Sequence, residues 1–272
     1  MAVIQANFYS ALLKRNVPFN AFLPVSRKTP DIPLKTLYLL HGFRRSAMRW
    51  LEGYAVGELA EQHNLAIIMP DGENHFYVDD TQRDDMYGEF IGSELVEFTR
   101  HMFPLSEKRG DTIIGGISMG GYGALRNGLK YNDVFGHIIA VSPATISHRL
   151  TDVTDEPDII NATRGYYESV FGNLNTAPDR DINVFWLSEQ MAKNNASFPD
   201  IYFACGANDI LVHDNREFDQ HLTELSVTHI YDEGEGTHDH LFFVPHLKKG
   251  IDRIIPNNQS AHKNSLWIET PD

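Results

Sequence analysis

A single cysteine, Cys205, stands in 272 residues, so no intramolecular disulfide can brace the fold. Its neighbours in Ile201-Tyr-Phe-Ala-Cys205 are apolar, the pattern of a buried strand, and a core thiol rather than a reactive one is expected. Positive charge is scarce as well: 23 Lys and Arg stand against 37 Asp and Glu, a formal net charge of −14. Such a chain repels nucleic acid and anionic membrane surfaces unless a local basic patch intervenes, so neither is expected as a partner. No apolar run approaches the roughly 18 residues of a spanning helix, and the amino terminus has no basic segment leading into an apolar one. A soluble, cytoplasmic protein is the expectation. Three Asn-X-Ser/Thr sequences, at Asn161, Asn195 and Asn258, are read as chance matches for want of a secretion signal. Internal repeats and low-complexity tracts are missing too.

What is present is a core-forming composition: 42% of residues are hydrophobic, with 16 Phe and 11 Tyr, enough to fold as one domain across 1–272. Strands are expected at 3–10 and 17–23, then at Leu37–Leu40 and Leu65–Met69, two short apolar runs stopped by His41-Gly42 and Pro70-Asp-Gly72. Helical spacing covers 46–62 and 87–103. In the second of these Phe90, Ile91, Leu95, Phe98 and Met102 fall near one face, and Pro104 ends it. Further strands are expected at 111–114, 137–141, 201–204 and 227–231, with helices to about Lys130, at 214–224 and at 240–254. Strands alternating with helices predict an α/β fold, a mostly parallel sheet flanked by helices on both faces. Residues 143–199 have a weaker pattern, four prolines and several aromatics, and are read as a small cap insertion over a site.

The chemistry centres on Gly116-Ile-Ser118-Met-Gly120, a G-x-S-x-G sequence between an expected strand and an expected helix. A serine exposed on so sharp a turn is strained, and the positions two before and two after it must lack a Cβ. A phosphate-binding turn is the plainer alternative, but no lysine follows in the phosphate-loop pattern. Serine is a weak nucleophile unless a histidine takes its proton and a carboxylate orients that histidine. In this strand–turn–helix context the order is serine, acid, histidine, each after a later strand. Asp209 and His238 satisfy that order. Asp214 and Asp232 are rivals for the acid, read as a helix cap and a loop charge, and His240 is the rival base. The amides of Met119 and Phe43 are the expected oxyanion donors. His41 is assigned to shaping the loop that carries Phe43. No metal or organic cofactor is called for.

Beyond these patterns the chain resembles the esterase D family of α/β hydrolases, which groups S-formylglutathione hydrolases, short-chain carboxylesterases such as tributyrin esterase, and acetyl xylan or feruloyl esterases. The resemblance rests on Leu39-Leu-His-Gly42 with Trp50, Met69-Pro-Asp-Gly72, Phe103-Pro-Leu-Ser106, the stretch from Gly116 to Ala124, Cys205-Gly206 with Asp209, and His238 ahead of Phe242-Phe243. It implies the α/β-hydrolase fold and again Ser118, Asp209 and His238 as a triad, with Phe43 and Met119 as oxyanion donors. It also implies short-chain ester hydrolysis; S-formylglutathione hydrolysis, feruloyl or acetyl xylan ester hydrolysis and acyl transfer are alternatives, and a non-catalytic binding module the remotest. The expected partner is a small-molecule ester, and homodimers are common for such proteins. Two departures from the family pattern stand out: Arg44-Arg45 where glycine is frequent, able to present positive charge to an acidic substrate, and His240 where an aromatic is frequent. Arg45 and Trp186, the latter with the cap aromatics Tyr166, Tyr167 and Phe171, are expected to line the substrate pocket.

Overall fold

Strands β1 (Ala2–Ser10) and β2 (Arg15–Leu23) open the chain as an antiparallel hairpin, and β2 runs antiparallel to the rest of the sheet it joins. A computed structural model describes residues 1–25, 31–158 and 160–256; the Asn258 sequence lies outside them. Then come β3 (Lys35–Leu40), two short helices α1 (Arg49–Glu52) and α2 (Val56–His63), and β4 (Leu65–Pro70). A two-residue hairpin, β5 (Asp79–Asp80) and β6 (Asp85–Met86), precedes α3 (Tyr87–Glu89) and α4 (Leu95–Met102). The second half alternates β7 (Thr112–Ile117), α5 (Met119–Lys130), β8 (His137–Val141), α6 (Arg164–Phe171), α7 (Val184–Lys193), β9 (Asp200–Gly206), α8 (Val212–Glu224), β10 (His229–Gly234) and α9 (His240–Ile254).

The eight-stranded sheet has the order β1-β2-β4-β3-β7-β8-β9-β10, with β3, β4 and β7 to β10 parallel. Parallel strands need helical crossovers, which cover both faces and make every strand position a core position. β4 and β7 are accordingly buried along their whole length. Strand alternation divides the core in two. Tyr38, Leu40, Ile68, Ile114, Ile138 and Phe203 face the α4, α5, α7 and α8 side. Leu37, Leu39, Ile67, Ile113, Ile139 and Tyr202 face α1, α2 and α9. No helix among the described residues is long and apolar enough to cross a membrane.

Several expectations are corrected in detail. The helix expected over 46–62 is two helices, because Ala55 adopts a left-handed conformation (φ 48°) between them. The helix expected over 87–103 carries a π-helical turn at Phe90–Glu94 and stops at Met102. Phe103, forced extended by the following proline, ends it, and Met102 is exposed. The strand placed at 227–231 runs from His229 to Gly234, so Asp232 belongs to a strand and not to a loop. The 143–199 stretch, read as a cap insertion and not as a second core, has no separate core among the described residues. Leu150, Tyr167, Phe171, Leu174 and Val184 join the same cluster as the sheet, and α7 packs on α5 as an ordinary crossover helix.

One polar group sits deep in this fold. Arg126 on α5 is fully buried and pairs with Asp181 at 2.7 Å and Asp79 at 3.1 Å; Lys130 reaches the same two carboxylates. Burial opposes charge on Arg126, but the two carboxylates outweigh it and hold its pKa up. Burial likewise pushes the Asp79 and Asp181 carboxyls up, and the arginine and lysine more than reverse this, leaving both below the usual range. The network ties the 79–86 hairpin and the segment before α7 to α5, the helix that follows Ser118.

Candidate active site

All three residues of the expected triad stand at the carboxyl ends of parallel strands, where open α/β sheets bind their ligands. Ser118 follows β7, Asp209 follows β9 and His238 follows β10. Ser118 has φ 55° and ψ −119°, a conformation that is costly for a residue with a side chain. The turn is tight enough to enforce glycine on both sides. A Cβ at Gly116 would come 2.3 Å from Gly120 O, and one at Gly120 would come 2.2 Å from Leu40 O. Backbone bonds from Ser118 N to Val141 O (2.9 Å) and from Ala144 N to Ser118 O (3.1 Å) hold the turn in place.

His238 Nε2 lies 2.9 Å from Ser118 Oγ, and its Nδ1 lies 2.9 Å from both carboxylate oxygens of Asp209. A carboxylate only accepts, so Nδ1 carries the proton and Nε2 is left to accept from the serine hydroxyl. Asp209 is 3% exposed, and its Oδ1 also accepts from Leu211 N at 2.9 Å. The rivals are engaged elsewhere. Asp214 is buried in the first turn of α8 and pairs with Arg149 (2.5 Å) instead of capping the helix. Asp232 is held by Tyr202 and Lys249. His240 is the first residue of α9 and exposed, while Asp239 caps that helix through Leu241 N. Cys205 is buried beneath the site, and burial, reinforced by the negative Asp209, pushes its thiol well up, so it is a core residue.

Phe43 and Met119 come together beside Ser118, lining one cavity with it and His238. Met119 opens α5, ahead of the first intrahelical bond, which Tyr122 N makes to Ser118 O. The Phe43 amide belongs to the Gly42–Phe43 peptide, and the other end of that peptide is gripped twice. Gly42 O accepts from His41 Nδ1 at 2.9 Å and from Arg45 N at 3.2 Å. Because C=O and N–H point oppositely across a trans peptide, fixing the carbonyl fixes the direction of the Phe43 N–H. His41 is 1% exposed, and its Nε2 accepts from Gly72 N at 3.0 Å, which sets the tautomer that donates from Nδ1. Asp71, 3.4 Å from Nε2, feels burial pushing its carboxyl up, yet the neighbouring His41 ring and hydrogen bonds from the Glu73 and Ala47 amides leave it below its ordinary value.

Two cavities meet at Ser118. The larger, about 310 Å³, runs between Phe76, Ile146, Leu150, Tyr167 and Leu211. The smaller, about 240 Å³, opens between the loop after β3 and the start of α9. Arg45 lines the smaller one. Trp186 lines neither; it sits on α7, half-buried against the main core, and Tyr167 is the aromatic from that stretch that reaches the cavity. Sequence reasoning missed Ile146, Leu150 and Ile210, short-range apolar residues whose only signal is that they border 143–160 or follow Asp209. It missed Arg49 and Arg126 too; the sole hint at the latter is an arginine within the apolar Tyr122–Leu129 stretch.

The model of the Esterase family matches residues 10–254. An acetyl esterase of Caldicellulosiruptor saccharolyticus is 43% identical over 261 residues, which is 93% of this chain and 97% of that protein. Among solved structures, a substrate-bound fluorophosphonate-binding serine hydrolase of Staphylococcus aureus superposes with a TM-score of 0.82 at 27% identity, covering 93% of this chain and 98% of that one. An S-formylglutathione hydrolase of the same organism, as apoenzyme, gives the same TM-score, identity and coverage.

Proposed function

We propose that this chain, which belongs to the Esterase family, is a serine carboxylesterase that cleaves short-chain acyl esters through an acyl-enzyme on Ser118. The observation that carries the reading is the continuous relay from Ser118 Oγ through His238 to Asp209, with both links at 2.9 Å. His238 Nε2 takes the hydroxyl proton as Oγ bonds to the ester carbonyl carbon. The carbonyl oxygen becomes an oxyanion facing the Phe43 and Met119 amides. As the tetrahedral species collapses, the bond to the alcohol oxygen breaks and His238 returns the proton to that oxygen. Water, deprotonated by His238, then attacks the acyl carbon, and Ser118 Oγ leaves with the proton. Asp209 keeps the imidazole in the working tautomer and stabilises it while charged.

Short acyl chains are favoured by the acetyl esterase relative and by the size of the larger cavity, about 310 Å³ and lined mainly by apolar side chains. The test is a series of p-nitrophenyl esters of increasing acyl length, with S-formylglutathione and methyl ferulate alongside. The reading expects the highest kcat/KM at acetate or butyrate, falling for longer chains. A maximum at S-formylglutathione, with simple esters near background, would replace it with thioester hydrolysis.

A further inference from the structure

The two cavities that meet at Ser118 carry opposite charge. Around the larger one stand Asp152, Glu156 and Asp158, and its single cation, Arg149, is already neutralised by Asp214. Beside the smaller one the loop after β3 places Arg44, Arg45 and Arg49 within six residues, in a chain whose net charge is −14. Among the described residues none of the three is paired with a carboxylate. Arg44 stacks on Phe43 and Arg49 on Tyr54, while the Arg45 side chain meets only the Arg44 carbonyl at 3.4 Å. Arg45 and Arg49 line the cavity together with Ser118, His238 and His240. The Nε of Arg49 is buried without a hydrogen-bond acceptor, so no protein acceptor competes for that edge of the guanidinium. The one carboxylate on the cavity wall, Asp239, is turned to Thr237 and to the first amides of α9.

Charges of this arrangement sort the two halves of an ester. An apolar cavity with an acidic rim accepts an uncharged acyl chain and repels an anionic one. His238, the group that hands its proton to the departing oxygen, borders both cavities, so it is their opposite charge that decides which half of the ester each one takes. Resting on the esterase reading above, we propose that the smaller cavity is an anion-binding subsite for the alcohol half of the substrate, its carboxylate or phosphate held between the Arg45 and Arg49 guanidiniums. A planar guanidinium matches either group in a forked pair, and the local positive field draws such a substrate to a protein that otherwise repels it. The natural substrate is then a short acyl ester of a hydroxy acid or of a phosphorylated alcohol.

Three esters separate the possibilities: 4-acetoxybenzoate, with the carboxylate on the alcohol half; its methyl ester, with the same acyl group and no charge; and a phenyl hemisuccinate, with the carboxylate on the acyl half. For wild type the ratio of kcat/KM between 4-acetoxybenzoate and its methyl ester is expected to be on the order of tenfold or more, shrinking as salt is raised. The hemisuccinate is expected to be the poorest of the three. In Arg45→Gln/Arg49→Gln the ratio collapses towards one; being a ratio, it cancels any loss common to both acetates. Equal rates on the two acetates in wild type, a ratio that survives the double substitution, or a preference for the hemisuccinate would each overturn the subsite. Cleavage of the neutral acetate reads the esterase activity separately: if it persists without the anionic preference, only the subsite falls, and if no ester is cleaved both readings fall.

Discussion

Replacing His41 by alanine probes the oxyanion arrangement without touching a group that meets the substrate. The side chain donates from Nδ1 to Gly42 O and accepts at Nε2 from Gly72 N. His41→Ala removes one of the two bonds on the Gly42 carbonyl and leaves the other, from Arg45 N at 3.2 Å. Complete loss of an oxyanion donor costs about 10²–10³ in kcat. With the carbonyl still half-held, a fall of about 10 to 10² is expected, expressed in kcat with KM little changed, because the donor acts on charge that exists only in the transition state. Stability falls as well, since Gly72 N is left buried without an acceptor, a defect of about 1–3 kcal/mol. The two effects separate in His41→Asn, whose side-chain amide can donate near the Nδ1 position and cannot reach Gly72. That variant should regain most of kcat while its Tm stays low. Steady-state kinetics on p-nitrophenyl acetate and thermal unfolding of the three proteins are the assays. A folded His41→Ala enzyme with wild-type kcat would refute the reasoning.

Other outcomes follow from the same geometry. Asp209→Asn keeps the shape of the site but presents an amide to His238 Nδ1, so the wrong tautomer is favoured and kcat should fall by about 10⁴; a loss under tenfold would remove Asp209 from the relay. Arg126→Met leaves Lys130 as the remaining cation beside Asp79 and Asp181, and because Asp181 is 34% exposed the cost should fall below the about 3–5 kcal/mol of breaking a fully buried pair near neutral pH. The folded-state pKa values of both carboxyls lie below the ordinary 3.8, so their pairing stabilises fully above that value and is lost as pH falls through the folded values. The stability gap between wild type and Arg126→Met should therefore narrow on acidification, and a gap independent of pH would count against the network.

Ser118 was legible in the sequence because the strained turn leaves a chemical trace. Backbone atoms approach Gly116 and Gly120 so closely that only glycine fits, and local sterics of that kind are written locally. Asp209 and His238 were legible through chain order and the family resemblance, and His240, Asp214 and Asp232 could be set aside only once the partners of each were known. The sheet was readable from apolar runs, since parallel strands are buried on both faces. What stayed hidden depends on distant partners. Nothing around Ala55 announces a left-handed residue in the 46–62 helical pattern. Trp186 is as aromatic as Tyr167, and only the packing of α7 on α5 decides that one faces core while the other reaches the cavity. Arg45 and Arg49 are surface-like in sequence, and their lack of a carboxylate partner among the described residues is visible only when every neighbouring carboxylate has been placed.

The central claim is that Ser118 Oγ becomes acylated during turnover. Its most direct test is rapid acid quenching of the enzyme during hydrolysis of p-nitrophenyl acetate, followed by peptide mass spectrometry of wild type, His238→Ala and Ser118→Ala. The account predicts one acetyl group on the peptide containing Gly116–Gly120, localised to Ser118, lost in Ser118→Ala and strongly reduced in His238→Ala, with ester hydrolysis lost in parallel. Undiminished hydrolysis by folded Ser118→Ala, or an acetyl group on another residue that turns over at the catalytic rate, would contradict it.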